Sequence, residues 1–228
     1  MMTGAPLESQ GTDGACSLEV RWILPGQLAA AVAGWFGRFP AEMTAVQDVY
    51  LLDPHLPGLS VKVRGGRALE VKVYRESPGL LEVTGRARGR LESWQKWSFP
   101  HGPPSQDSND PAGWQLVSKS RRISRFSLAR GPTRARVAGL GHKPGCAVEL
   151  TEVRTRGGAW WTLGFEATGP ANTLRSELEA AAAQVFAEPP PAGVALGLDD
   201  SMSYAQWLRG WPDAAETPKP DHDPSADV

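Results

Sequence analysis

The sequence predicts a strand-dominated α+β fold whose antiparallel strands close, or nearly close, on themselves. Three observations lead there. Many short segments alternate polar and apolar residues with the two-residue period of a strand that packs on one face. Glycine pairs at Gly65-Gly66 and Gly157-Gly158 sit between such segments as hairpin turns. Only two segments carry a convincing helical stripe, and nothing alternates strand and helix as parallel crossovers require. A long antiparallel meander leaves exposed edges unless it closes, so closure is the expected outcome.

In chain order, Cys16 to Leu24 alternates as a strand, and Pro25-Gly26 turns the chain. From Gln27 to Phe39, Leu28, Val32, Trp35 and Phe36 recur at helical spacing, and Pro40 ends the run. Five strands are expected next: Val46 to Leu51, Leu59 to Arg64, Ala68 to Arg75, Leu80 to Thr84 and Arg90 to Phe99. Residues 100–113 form a loop rich in Pro, Gly and Asp. Further strands cover Trp114 to Lys119, Arg122 to Leu128, Thr133 to Val137, Cys146 to Val153 and Trp160 to Ala167. Asn172 to Phe186 is the second helix, with Asn172 as its cap and Leu174, Leu178, Ala181 and Val185 on one side. Ser203 to Trp211 suits a short closing helix. A single folded domain over residues 16–211 is expected, between a flexible leader (1–15) and a disordered acidic tail (212–228).

A net charge of −1 conceals segregation. The tail carries five acids and one base, and the leader two acids and none. The body between them is therefore +5, and Gln115 to Ala147 holds eight Lys or Arg without an acid. A cationic body favours a polyanionic partner over a neutral metabolite. No apolar run is long enough to cross a bilayer as a helix, and the N-terminal residues lack a signal-peptide pattern, so the expected location is cytoplasmic. Two cysteines provide neither a disulfide framework nor a metal cluster, and Cys146, opening a strand, suits a buried apolar role. None of the four histidines has a catalytic setting. The tryptophans suit core packing, since Trp22 and Trp161 oppose the polar face of their strands.

Strand phase sorts the charges. Glu19 and Arg21 oppose Leu18, Val20 and Trp22. Lys62 and Arg64 oppose Val61 and Val63. Glu70 and Lys72 oppose Val71 and Val73. Glu149 and Thr151 oppose Val148 and Leu150, while Thr162, Gly164 and Glu166 oppose Trp161, Leu163 and Phe165. Two arrangements satisfy this pattern: the polar set lines a wet interior under helix-covered apolar outer faces, or the apolar set is inside and the charges face solvent. Periodicity is the same in both. In the first, carboxylates at Glu19, Glu149 and Glu166 would hold a divalent ion while Lys and Arg meet phosphate oxygens.

At this point the chain resembles the CYTH, or triphosphate tunnel metalloenzyme, superfamily, over Ser17 to about Leu208. The family's opening Glu-x-Glu-x-Lys strand is matched by Ser17-Leu18-Glu19-Val20-Arg21, and its basic strands by Val61-Lys62-Val63-Arg64 and Glu70-Val71-Lys72. An Arg-x-Glu pattern is matched by Arg90-Leu91-Glu92, and a Lys-x-Arg strand by Lys119-Ser120-Arg121. The late acidic strands are matched by Glu149-Leu150-Thr151 and Gly164-Phe165-Glu166, and the closing element by Ser203-Tyr204 and Leu208. The basic positions are largely kept, with Met202 where a lysine is frequent, but Ser17, Thr151 and Gly164 stand where the family has acids.

The resemblance implies an eight-stranded tunnel and metal-dependent hydrolysis of a small triphosphate, inorganic triphosphate being the least demanding. It assigns phosphate contacts to Lys62, Arg64, Lys72, Arg90, Lys119 and Arg121, and catalytic roles to Glu19, Glu166 and Arg21. Mg²⁺ or Mn²⁺ would be held by Glu19, Glu92, Glu149 and Glu166. With three acids replaced, an anion- or nucleotide-binding protein without turnover is the first alternative. Nucleic-acid binding through an exposed basic stripe over Lys119 to Arg136 is the second; convergence of the same bases inside a channel would favour small triphosphates.

Overall fold

The structure, a computed structural model, describes residues 14–100, 113–128, 133–134 and 144–210. Eleven strands and three α-helices follow one another as β1 (Ala15–Pro25), α1 (Ala30–Gly37), β2 (Glu42–Leu51), β3 (Leu59–Arg64), β4 (Ala68–Glu76), β5 (Leu80–Val83), β6 (Ala87–Arg90), β7 (Glu92–Pro100), β8 (Trp114–Phe126), β9 (Thr133–Arg134), β10 (Gly145–Thr155), β11 (Gly158–Thr168), α2 (Leu174–Val185) and α3 (Tyr204–Arg209). Eight strands form an antiparallel ring in the order β10-β11-β1-β7-β4-β3-β2-β8, closed where β8 pairs with β10 along Cys146↔Phe126 to Arg154↔Ser118. The expected closed eight-stranded barrel with flanking helices is the observed architecture.

The turns follow from glycine stereochemistry. Gly65 and Gly66 both have positive φ (54° and 66°), which a two-residue turn of the primed type needs. The second hairpin turns one residue earlier than expected: Arg156 (φ 47°) and Gly157 (φ 73°) are its central pair, and Thr155 and Gly158 close it. Other boundaries differ in informative ways. Strand β2 starts four residues before the expected Val46, because Glu42 to Ala45 pair with Ile123 to Ser120. The two strands expected on either side of Ser120-Arg121 are one, β8. Leu80 to Arg90 folds as a separate hairpin, β5–β6, whose second strand was not anticipated. Asn172 is not a helix cap; it lies within a 3₁₀ turn, Ala171–Thr173, leading into α2. Of the strand expected at Thr133 to Val137, Thr133–Arg134 is present and residues 135–137 lie outside the described residues, as do most of the leader and the tail.

The barrel's outer wall supplies the main core. Leu18, Val20 and Trp22 of β1, Val148 and Leu150 of β10, and Leu163 and Phe165 of β11 are almost fully buried beneath α1, α2 and the β5–β6 hairpin. The stripes of Val32 and Phe36 on α1 and of Leu174, Leu178, Ala181 and Val185 on α2 complete this layer, and Trp22 meets Phe165 and Phe186 edge-on. Cys146 is buried in the same layer. Burial of this apolar area, at about 25 cal/mol per Å², fixes which face of each strand looks outward. The charges consequently look in.

A second cluster plugs one end of the barrel. Ile23, Val117, Val153 and Trp160 point inward there and pack against Tyr204, Trp207 and Leu208 of α3. Ser203 and Gln206 cap that helix reciprocally. Among the described residues no helix is long and apolar enough to cross a membrane.

Candidate functional site

Above the plug, the barrel encloses a cavity of about 310 Å³ walled by eight cationic side chains (Arg21, Lys62, Arg64, Lys72, Lys96, Lys119, Arg121 and Arg125) and six glutamates. Of the two arrangements that periodicity allows, the polar interior is the one adopted. Side-chain exposure rises from 3% at Lys119, beside the plug, to 31% at Arg64 and 34% at Glu166. Depth therefore runs from a dry floor to a wetter mouth.

The floor is built on Asp48, Tyr50 and Lys119. Asp48 is 2% exposed and its Oδ2 receives both Lys119 Nζ (2.9 Å) and Lys62 Nζ (3.3 Å). Lys119 also donates to the Tyr50 hydroxyl (2.7 Å) and lies 3.9 Å from the centre of the Tyr204 ring. One carboxylate thus serves two ammonium groups. Asp48 stays ionised, because the two lysines outweigh its burial. Lys119, the deeper ammonium, is pushed down to about 7 by burial first and by the like charge of Lys62 second, with Asp48 offsetting only part.

Midway up, Glu70 gathers Lys62 (3.2 Å), Arg64 (3.0 Å) and Lys96 (3.3 Å). Burial disfavours its charge, but these three cations hold it well below the usual carboxylate range. Glu149 lies between Arg121 (3.1 Å) and Arg21 (3.5 Å) and accepts from Thr151 (2.8 Å). Against its burial, the two guanidiniums keep it at about 2. Arg21 is pinned further by Thr162 (2.9 Å) and by the Tyr204 ring at 4.7 Å.

Glu92, Glu19 and Glu166 form a row across three adjacent strands, since Glu19 is the register partner of both others. Lys72 Nζ sits against this row, 2.6 Å from Glu19 and 3.4 Å from Glu166. Its charge holds Glu166 well below the usual range. Glu92 differs: burial raises it, and its Oε2 accepts the Trp94 indole N–H at 3.0 Å.

Of the residues singled out from sequence, Glu19, Arg21, Lys62, Arg64, Lys72, Glu92, Lys119, Arg121, Glu149 and Glu166 all line the cavity. Arg90 does not. The strand is interrupted at Leu91, so Arg90 belongs to the β5–β6 hairpin and is exposed outside the barrel. Nor do the four expected metal ligands meet. Glu149 stands apart in the grip of Arg21 and Arg121, Glu92 is turned to Trp94, and Lys72 lies against Glu19 and Glu166. Among the described residues no three His, Cys, Asp or Glu side chains gather closely enough to hold a metal ion, so the residues present do not fit one.

Sequence reasoning passed over Asp48, Glu70, Lys96, Arg125 and Tyr50 as site residues, although all but Asp48 line the cavity. The signal for Lys96 and Arg125 was available: each lies four residues beyond a chosen position, Glu92 and Arg121, in the same strand phase. The stripe expected for nucleic acid is split by this phase. Lys119, Arg121 and Arg125 face the cavity, while Arg122 faces out toward Glu152 at 3.8 Å.

No protein-family model and no curated protein matches the chain. Solved structures of similar fold include a conserved hypothetical protein from Pyrococcus furiosus (TM-score 0.43, 13% identity, covering 82% of this chain and 98% of that one). A mimivirus capping-enzyme triphosphatase is similar at a TM-score of 0.40 and 13% identity, over 78% of this chain and 91% of its own. A putative adenylyl cyclase from Hippeastrum, described as having a dominant triphosphatase activity, is similar at 0.39 and 10% identity, over 78% and 91%. Likenesses of this degree add nothing to what the cavity's own chemistry supports.

Proposed function

We propose that the barrel binds a small polyphosphate anion, inorganic triphosphate being the simplest, and hydrolyses its terminal phosphoanhydride bond. The observation that carries this reading is the convergence of eight cationic side chains from five strands on one cavity. A cavity of about 310 Å³ suits a small anion and excludes a duplex. Cations spaced along its depth match charge distributed along a chain of phosphates, and the low-dielectric wall strengthens each contact. Phosphoryl transfer asks mainly for positioning and for neutralising charge on the transferring group, which such a cradle supplies.

In this reading Lys62, Arg64, Lys72, Lys119 and Arg121 hold phosphate oxygens, and Arg21 steadies the transferring group. Glu166, made a weak base by Lys72, orients the attacking water without taking its proton. Glu92, raised by burial, is better matched to that proton. Binding without turnover is the second reading, and the dispersal of the carboxylates favours it. Phosphate release from inorganic triphosphate, with and without Mg²⁺ or Mn²⁺, measured beside calorimetric binding, separates the two. Turnover lost in Glu166→Gln supports the enzyme, binding alone supports the second reading, and neither refutes both.

A further inference from the structure

We infer that the barrel takes its polyphosphate as the metal-free anion, with Lys72 and Arg21 as built-in cations in place of a divalent ion. This rests on the polyphosphate reading above and specifies the ionic form of its ligand.

The first observation is the seat of Lys72. Glu19 Oε1 accepts from Lys72 Nζ at 2.6 Å and from Ser17 Oγ at 2.6 Å, and Glu166 Oε1 lies 3.4 Å from the same ammonium. Glu19 and Glu166 face one another across β1 and β11, so they are the pair of carboxylates best placed to chelate a cation. That cation is already covalently part of the chain. A divalent ion entering here would have to expel Lys72 from both carboxylates and strip a hydroxyl donor from Glu19.

The second observation is independent. Gly164 is the register partner of both Arg21 and Glu149, one step deeper than the Glu19–Glu166 pair. A Cβ at Gly164 would fall 2.6 Å from Arg21 Cζ and 2.7 and 2.8 Å from its terminal nitrogens. The guanidinium therefore lies in the volume any side chain at this position would occupy, and a carboxylate there would first have to displace it. Arg21 is held in place by Thr162, Glu149 and Tyr204. A positive charge thus stands one step from the Glu19–Glu166 pair, at the β11 position from which a further carboxylate could have joined them around a metal ion.

The remaining lining points the same way. Eight basic side chains face six glutamates, and Asp48 beneath them pairs Lys62 and Lys119, so the lining keeps at most a small positive excess before any ligand enters, which favours a bare polyanion. In solution Mg²⁺ masks part of a polyphosphate's charge, and here it would also compete with Lys72 for Glu19 and Glu166.

Two measurements test the inference. Inorganic triphosphate is titrated into the protein by calorimetry, once in EDTA and once in millimolar Mg²⁺. The expected Kd in EDTA is equal to that in Mg²⁺ or tighter. Tightening by Mg²⁺ of more than about threefold overturns the inference while leaving the polyphosphate reading intact. Absence of binding in both conditions overturns both. Separately, Mn²⁺ is titrated without triphosphate and its free fraction followed by electron paramagnetic resonance. The wild-type protein is expected to leave Mn²⁺ free at about 0.1 mM, whereas Lys72→Met, which uncovers Glu19 and Glu166, is expected to bind it at least about tenfold more tightly than the wild type. Tight Mn²⁺ binding by the wild-type protein, or no gain in a folded Lys72→Met variant, overturns the inference whatever triphosphate does.

Discussion

Replacing Lys119 by Met tests the electrostatics of the barrel floor without any ligand. Lys119 is 5% exposed, and burial together with Lys62 brings its ammonium from the ordinary 10.5 to about 7. The sign follows from proton counting. Between these values the unfolded chain holds a proton on Lys119 that the folded chain has given up, so stability rises with pH. The limiting slope for one such proton is about 1.4 kcal/mol per pH unit. From pH 7 to pH 9 the contribution is about 2 kcal/mol, smaller than the full slope implies because near pH 7 half the folded molecules still hold the proton. Methionine keeps most of the stem's volume and cannot titrate, while Lys62 continues to neutralise Asp48 at 3.3 Å. Urea unfolding followed by tryptophan fluorescence, on wild type and Lys119→Met at several pH values, gives the difference directly. Groups common to both proteins, Lys96 among them, cancel. Wild type should gain about 2 kcal/mol on the variant across this interval. A difference that stays constant with pH refutes the buried, deprotonating Lys119 and the crowding of two ammoniums on Asp48.

Arg121→Met should weaken inorganic triphosphate binding about ten- to a hundredfold, the worth of one or two charge-assisted hydrogen bonds. Arg122→Met, on the outer face of the same strand, should leave it within about twofold; equal losses in calorimetry would mean the anion binds outside the barrel. Glu149, held at about 2 by Arg21 and Arg121, contributes stability that is complete above about pH 4.5 and lost as pH falls toward 2, in all about 3 kcal/mol. The stability gap between wild type and Glu149→Gln should therefore close on acidification, and a gap independent of pH in acid unfolding would contradict the pairing. Gly164→Ala must move the Arg21 guanidinium off its seat, since the new Cβ would lie 2.6 Å from Cζ. Because the displaced group is the far end of a flexible side chain, the expected cost in thermal unfolding is that of disturbing the Arg21 contacts to Thr162 and Glu149, about 1 kcal/mol, and a rise in melting temperature would contradict it.

Most strands were legible in the sequence because a strand with one packed face writes a two-residue alternation into its residues. Leu18-Glu19-Val20-Arg21, Val61-Lys62-Val63-Arg64 and Leu163-Gly164-Phe165-Glu166 all do so, and the glycine pairs mark the turns between hairpin partners. Alternation is symmetric with respect to inside and outside, however, and cannot say which set faces the centre. The symmetry is broken far away in the chain, where the apolar stripes of α1 and α2 need a surface. Trp22, Leu150 and Phe165 provide it, and their opposition to Arg21, Glu149 and Glu166 turns those charges inward.

The ion pairs were less legible, for a reason of register. Within β4 nothing says that Glu70 rather than Lys72 will become the hub for Lys62, Arg64 and Lys96. That depends on Lys62 facing Glu70 across β3 and β4, and on Lys72 facing Lys96 across β4 and β7. Asp48 is set by the same kind of choice, since β2 pairs Tyr50 with Lys62 and Val46 with Lys119, leaving the carboxylate between two ammoniums. Arg90 falls outside the cavity for the opposite reason. Its phase agrees with Glu92 only if the strand runs through Leu91, and the chain instead folds Arg90 back against Leu80 in a separate hairpin, where Ser201 Oγ accepts its backbone N–H at 2.8 Å. Periodicity thus gave each side chain a face, while its chemistry depended on pairings between residues far apart in the chain, such as Glu19 with Glu166. Those pairings put the Lys72 ammonium against the carboxylate row. Once folded, the alternating charges form a set of internal ion pairs that the proposed polyphosphate would have to outcompete.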